Sequence, residues 1–168
     1  MPSDPSTWFV QRIVERCTMP AVRSDLRTGI GVPVDRAPRM HAHVAPLVRP
    51  SLAHETAARY CVAALIARRP DGALPSEYIG NLGVSIARAT HLAEQTREDL
   101  VRRLTAQPAS RVTIDVGRVV SGLRDAKVPV NFPRLLNDLT AWPQHRTRIA
   151  TEWLQSYSRE LNPITLPN

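Results

Sequence analysis

Five histidines, two cysteines and several paired glycines are the residues of this 168-residue chain best suited to chemistry. His41 and His43 stand two apart, which on a helix sends them to different faces, and neither has a glutamate or a third ligand at metal spacing. His54 beside Glu55 is an acid–base pair in a first helical turn with no nucleophile close in sequence. "GIGVP" and "GNLG" contain the glycines of a phosphate-binding turn, but neither follows a strand or completes a dinucleotide fingerprint, so helix termination and a tight turn are expected. Cys17 and Cys61 each fall inside helical patterns, where a small buried hydrophobe is expected rather than a disulfide. These residues assign no catalytic group, no metal ligand and no cofactor site, and the chain is expected not to be an enzyme.

The arginines carry more pattern. Twenty-two basic against 15 acidic residues give a net charge of +7 and a pI of about 10.6, a balance that favours a polyanionic partner. All the basic residues but Lys127 are arginine. Genomic base composition accounts for that bias, and so does bidentate phosphate binding; composition alone leans to the first. Arg111 and Arg118, seven residues apart, share a side of one predicted helix; Arg124 and Lys127 lie near its C-terminus, where the helix dipole already favours cations. Arg146 and Arg148 occupy a predicted first turn, where the dipole disfavours them, and only Glu152 is placed to offset them. They are either aimed at phosphate or simply solvated.

The elements that must position these groups read as helices throughout. Residues 7–17 place Phe9, Ile13, Val14 and Cys17 on one face, and "PAVRSDLRTGIG" opens a second helix at Pro20 and closes it at Gly29. "DRAPRMHAHVAPLV" is a third, weakened by Pro38 and Pro46. "SLAHETAARYCVAALIARRP" is an alanine-rich helix with Ser51 as its expected cap, and "LPSEYIGNLG" is the longest expected loop. "VSIARATHLAEQTREDLVRRLTA" holds two helical segments, the second opened by Thr96 with Asp99 at capping-box spacing. Another helix buries Val112, Val116, Val119, Val120 and Leu123. The next begins at Asn131–Pro133, buries Phe132, Leu135, Leu136, Leu139 and Trp142, and is expected to stop before Pro143. A final helix carries Ile149, Trp153, Tyr157 and Leu161 on one side, followed by a frayed tail, 162–168. Period-two alternation is nowhere sustained, so the fold class is all-α: a compact helical bundle, one domain over 1–168 with packed subdomains near 7–93 and 94–161. No apolar run reaches the roughly 18 residues of a membrane span, and the N-terminus has no signal-peptide pattern, so a cytoplasmic protein is expected.

Three stretches in this order resemble the CasB family, the small subunit of the type I-E CRISPR surveillance complex called Cascade: "SDLRTGIG", "GNLGVSIARA" and "VVSGLRDAKVPVNFPRLLNDLTAWPQHRTRIATEWLQSYSREL". The resemblance spans Phe9 to Asn162. It implies an all-helical, non-catalytic subunit present as a pair, set against the CasC backbone subunits and the large CasA subunit. Such a subunit helps hold the target DNA strand on CRISPR RNA and offers the displaced strand a basic path. Base pairing then reads the sequence and the protein reads backbone. Carried over by position, the resemblance implies nucleic-acid contacts at Arg23, Arg27, Arg88, Arg118, Arg124, Lys127, Arg146 and Arg148. The chain departs from the family pattern at Thr28, Glu98 and Asp99, where relatives carry basic residues, and Phe132 replaces a tryptophan. The alternative is an autonomous helix-turn-helix DNA-binding regulator using the Arg118 helix and the Val130–Trp142 helix. Against it, the connector is long and the second helix presents leucines instead of base-reading side chains.

Overall fold

The computed structural model describes residues 4–74 and 78–167. Pro75–Glu77 of the expected loop, Met1–Ser3 and the last residue lie outside them. Among the described residues the chain is entirely helical and irregular, with α1 (Pro5–Arg16), α2 (Pro20–Arg27), α3 (His41–Val44), α4 (Ala53–Arg68), α5 (Leu82–Ala87), α6 (Glu94–Thr105), α7 (Ala109–Asp125) and α8 (Phe132–Leu161). Short 3-10 turns flank α3. The all-α expectation therefore stands.

The centre is α4. Every residue from Tyr60 to Ala67 is buried, so the helix is covered on all sides, by α1, α2, α7 and α8. Its alanines are what let four neighbours approach so closely. Ser51 does not cap it: Leu52 occupies the N-cap without a side-chain bond, and the Ser51 hydroxyl pairs with that of Thr56. Thr96 likewise lies inside α6, which starts two residues earlier at Glu94 behind Ala93.

The largest departure from expectation is α8. It does not end at Trp142 but continues through Pro143 and kinks at His145, whose backbone leaves the helical region (φ −130°, ψ 23°). Proline removes one helical hydrogen bond and crowds the carbonyl four residues back, which bends a helix and ends it only where nothing holds the far side. Here both sides are held. Trp142 before the kink and Ile149, Trp153 and Tyr157 after it are all buried in the same core, with the Trp142 and Trp153 rings 5.1 Å apart. The Trp142 indole donates to the Gln107 carbonyl at 3.0 Å, and the Arg146 guanidinium to the Ala106 carbonyl at 2.7 Å.

The "GNLGVS" stretch is a latch onto α8. Gly80 adopts a positive φ of 90°, and the Asn81 side chain caps α5 while donating to Glu152 O at 3.3 Å and Ser156 Oγ at 2.9 Å. Gly83 lies so close to α8 that a Cβ there would sit 2.0 Å from the Trp153 carbonyl oxygen. Ser85 donates to the Pro129 carbonyl at 2.8 Å.

Candidate nucleic-acid interface

Four of the residues suited to chemistry, His41, His43, Cys17 and Cys61, are absorbed by the fold, while the buried Nε2 of His54 has no hydrogen-bond partner among the described residues. His41 bonds the Tyr60 hydroxyl on α4 and His43 bonds Asp25 on α2, facing apart as their spacing predicts. Cys17 and Cys61 are free and buried, and burial pushes their thiols up to about 11 and about 12, far from reactivity at neutral pH. Among the described residues no three His, Cys, Asp or Glu side chains gather as a metal cluster.

The eight basic residues singled out from the sequence do not share one surface. Four lie where the C-termini of α2, α4 and α7 converge. Half-buried Arg23 donates to the Ala67 and Arg68 carbonyls at the end of α4, at 2.9 and 3.2 Å. Arg124 is 3% exposed: it donates to the carbonyls of Arg69, Asp71 and Val128 and stacks over the Phe132 ring. Burial takes Arg124 out of any interface with phosphate and makes it a clamp for the α4–α5 connection. Exposed Arg27 flanks Asp125, whose carboxyl is held below the usual range chiefly by the two-pronged hydrogen bond from Arg68. Lys127, also exposed, takes a left-handed conformation (φ 61°) in which its own N–H bonds Arg124 O and that of Val128 bonds Leu123 O, the paired closure more often built on glycine. Carbonyl ends of helices attract cations, so this cluster has a sufficient structural cause.

Arg88, on the rim of the α5–α8 contact, forms an ion pair with Glu160 at 2.7 Å. Arg148 pairs with Glu152 at 3.0 Å, and Arg134 reaches the other oxygen of the same carboxylate at 2.9 Å. Glu152 is thus the counter-charge its spacing marked it as. Arg146 is exposed but committed to the Ala106 carbonyl.

Arg118 is different. It is exposed, makes no ion pair or hydrogen bond among the described residues, and lines a shallow groove of about 420 Å³ between α6 and α7 with Arg103, Gln107, Arg111 and Asp115. Three guanidinium groups face one carboxylate there, and Arg111 holds that carboxylate only loosely, at 3.7 Å. Arg111 and Arg118 are two turns, about 10 Å, apart along the axis of α7 and so open on the same side of it. The shared side of Arg111 and Arg118 was legible in their spacing. Arg103 was not singled out, although "VRRL" at the end of α6 marks a basic pair whose second member faces the groove.

The chain matches the family model described as CRISPR-associated protein Cse2 over residues 22–157. It belongs to the Cse2 family. A chain of a solved structure titled "CRISPR RNA-guided surveillance complex" is similar at 31% identity and a TM-score of 0.81, with 94% of this chain and 93% of that chain covered. The fold is shared with CasB from Thermus thermophilus (20% identity, TM-score 0.78, 92% of this chain and 98% of that chain covered) and with M. ruber CasB (19%, 0.73, 93% of each). A comparison with curated proteins returned no match. The Cse2 match runs from Val22 in α2 to Tyr157 in α8, so it contains the α6–α7 groove, the α5–α8 latch and the kink.

Proposed function

We propose that this Cse2-family chain is the non-catalytic small subunit of a type I-E CRISPR RNA-guided surveillance complex, where it binds nucleic-acid backbone and stabilises the R-loop. Its partners on this reading are CRISPR RNA and target DNA, the CasC and CasA subunits and a second copy of itself, in the cytoplasm and without a cofactor. The family and the similar surveillance-complex chain support the place in the assembly. The observation that carries the backbone reading is the α6–α7 groove, where Arg103, Arg111 and Arg118 outnumber the one carboxylate and Arg118 has no intramolecular partner among the described residues. The guanidinium groups can grip phosphate, and the one amide in the groove, Gln107, donates to the Arg103 carbonyl at 3.3 Å, which leaves sequence to the guide.

No observation favours the stand-alone helix-turn-helix. Phe132, Leu135, Leu136, Leu139 and Trp142 turn the first arm of α8 into the core, and its one arginine, Arg134, is tied to Asp138 and Glu152.

The test is the Arg103→Ala, Arg111→Ala, Arg118→Ala triple variant in the reconstituted complex. Assembly and thermal midpoint should be preserved, while R-loop lifetime on matched DNA shortens and discrimination against mismatches survives. An unchanged lifetime would move the contact to another face, and lost assembly would make the groove a protein interface.

A further inference from the structure

The segment between α2 and the first 3-10 turn is a strap that lies on Met40 at Gly29 and on α7 at Gly31. A Cβ on Gly29 would meet Met40 Sδ at 2.1 Å; Met40 is fully buried, so the strap is seated on the core at this point. Two residues on, Gly31 adopts a left-handed backbone (φ 66°) and lies directly on α7. The helix has a glycine at this contact too: a Cβ on Gly117 would come 3.0 Å from the Gly31 nitrogen. The neighbouring helical residue is Arg118, and its side chain runs along the strap. A Cβ on Gly31 would sit 2.7 Å from Arg118 Cγ and 3.3 Å from its Nε.

Arg118 forms no ion pair that would orient it, and an unrestrained arginine loses rotamer freedom when it is fixed on a ligand. A wall of backbone against its aliphatic stem removes part of that freedom beforehand and leaves the guanidinium pointing where Arg103 and Arg111 also point. We infer that Gly31 is a positioning residue for Arg118: the bare backbone of the strap holds this arginine's stem so that its guanidinium faces phosphate in the α6–α7 groove. The inference rests on the backbone-binding reading above, and assigns to "GIG" a task at that site beyond ending a helix.

The experiment measures binding of a single-stranded oligothymidylate by the purified full chain between about 50 and 200 mM salt, together with the thermal midpoint. Gly31→Ala leaves the net charge untouched, so a role confined to overall charge leaves affinity unchanged. If the strap positions Arg118, Gly31→Ala flattens the salt slope by about 0.7 unit, as Arg118→Ala does on a single strand, which over this range is roughly a 2.5-fold smaller loss of affinity with salt. In the double variant the second change adds nothing further.

Two controls separate contact from backbone strain. Asparagine tolerates a left-handed backbone but still carries a Cβ, so Gly31→Asn should behave like Gly31→Ala in binding while melting closer to the parent. Gly72→Ala imposes similar strain (φ 73°) where a Cβ meets only Arg124 Nη2 at 3.9 Å, and it should lower the midpoint with binding intact. Additive losses in the double variant, or full binding by Gly31→Asn, would overturn the positioning role while leaving the groove in place. An Arg118→Ala variant that binds like the parent would overturn both.

Discussion

The Trp153 indole donates a 2.7 Å hydrogen bond to the carboxylate of Asp138, 15 residues earlier in α8 and on the other side of its kink. Asp138 is buried, and its second oxygen accepts from Arg134 at 3.1 Å, whose guanidinium also reaches Glu152 beyond the kink at 2.9 Å. The two arms are thus joined by a polar network as well as by stacked tryptophans.

Trp153→Phe keeps most of the ring volume but takes away the indole donor, leaving a buried carboxylate with Arg134 alone. The expected cost is about 2–4 kcal/mol, combining an unsatisfied buried acceptor with a small cavity. Chemical denaturation should show it as a lower midpoint with an unchanged slope; a loss below about 1 kcal/mol would mean that the network is not a brace.

Burial raises the Asp138 carboxyl above its ordinary value of 3.8, and the hydrogen bonds from Trp153 and Arg134 only partly oppose this. The folded protein therefore keeps this proton over a range in which the unfolded chain has released it. The associated stability is complete below the unfolded value and is lost as pH rises through the folded one. Asp25 and Asp125, held low by the bonds from His43 and Arg68, act in the opposite sense, and their contribution disappears as pH falls below 3.8. Comparison with Asp138→Asn cancels those two. Wild type should lose stability relative to the variant as pH rises above 3.8; thermal melts in which the wild type gains on that rise would reverse the assignment.

Gly83→Ala should be among the most damaging small substitutions in the chain. The added methyl would collide with main chain, the Trp153 carbonyl, which has no rotamer to move into. A loss of about 3 kcal/mol or more is expected, at the upper end of overpacking. Gly122→Ala is the matched control. A Cβ there has nothing within 4 Å, and replacing a glycine inside α7 should add up to about 1 kcal/mol. Urea melts of the pair check this, and equal midpoints would show that α5 can shift on α8.

Arg124 and Arg118, six residues apart on α7, should fail in opposite ways. Arg124→Ala strips a buried donor from three carbonyls and leaves space beside Phe132, at about 3 kcal/mol or more. Arg118→Ala should change stability by no more than about 0.5 kcal/mol, as exposed side chains usually do, while its salt dependence of nucleic-acid binding flattens. Measuring both properties on both variants decides the matter; a destabilised Arg118→Ala would make it a structural residue.

Much of the bundle was legible because apolar periodicity survives wherever a helix has one buried face. Phe9 and Ile13, Val112, Val116, Val120 and Leu123, and Trp153 and Tyr157 are buried as their spacing predicts, while Val119 is only half-buried at the edge of the core. The passage of α8 through Pro143 was not legible, because packing of both arms against distant residues outweighed the local preference of Pro143. The site was less legible for a related reason. Counting arginines gives a charge, but Arg23, Arg124 and Arg146 meet carbonyls 40 or more residues away in sequence, and no local pattern records that. Conversely, Arg103 and Arg118 become neighbours only when α6 folds back on α7.

The two carbonyls that hold the kink, Ala106 and Gln107, are consecutive, and one is bound from each side of Pro143. In mechanical terms α8 is a bent lever whose elbow is bolted to the end of α6. A load on its outer arm, from Thr147 to Leu161, is not absorbed by a loose proline hinge. The bolt lies about one turn from Arg103, so the bend of α8 and the wall of the groove that Arg103 lines share one anchorage at the end of α6.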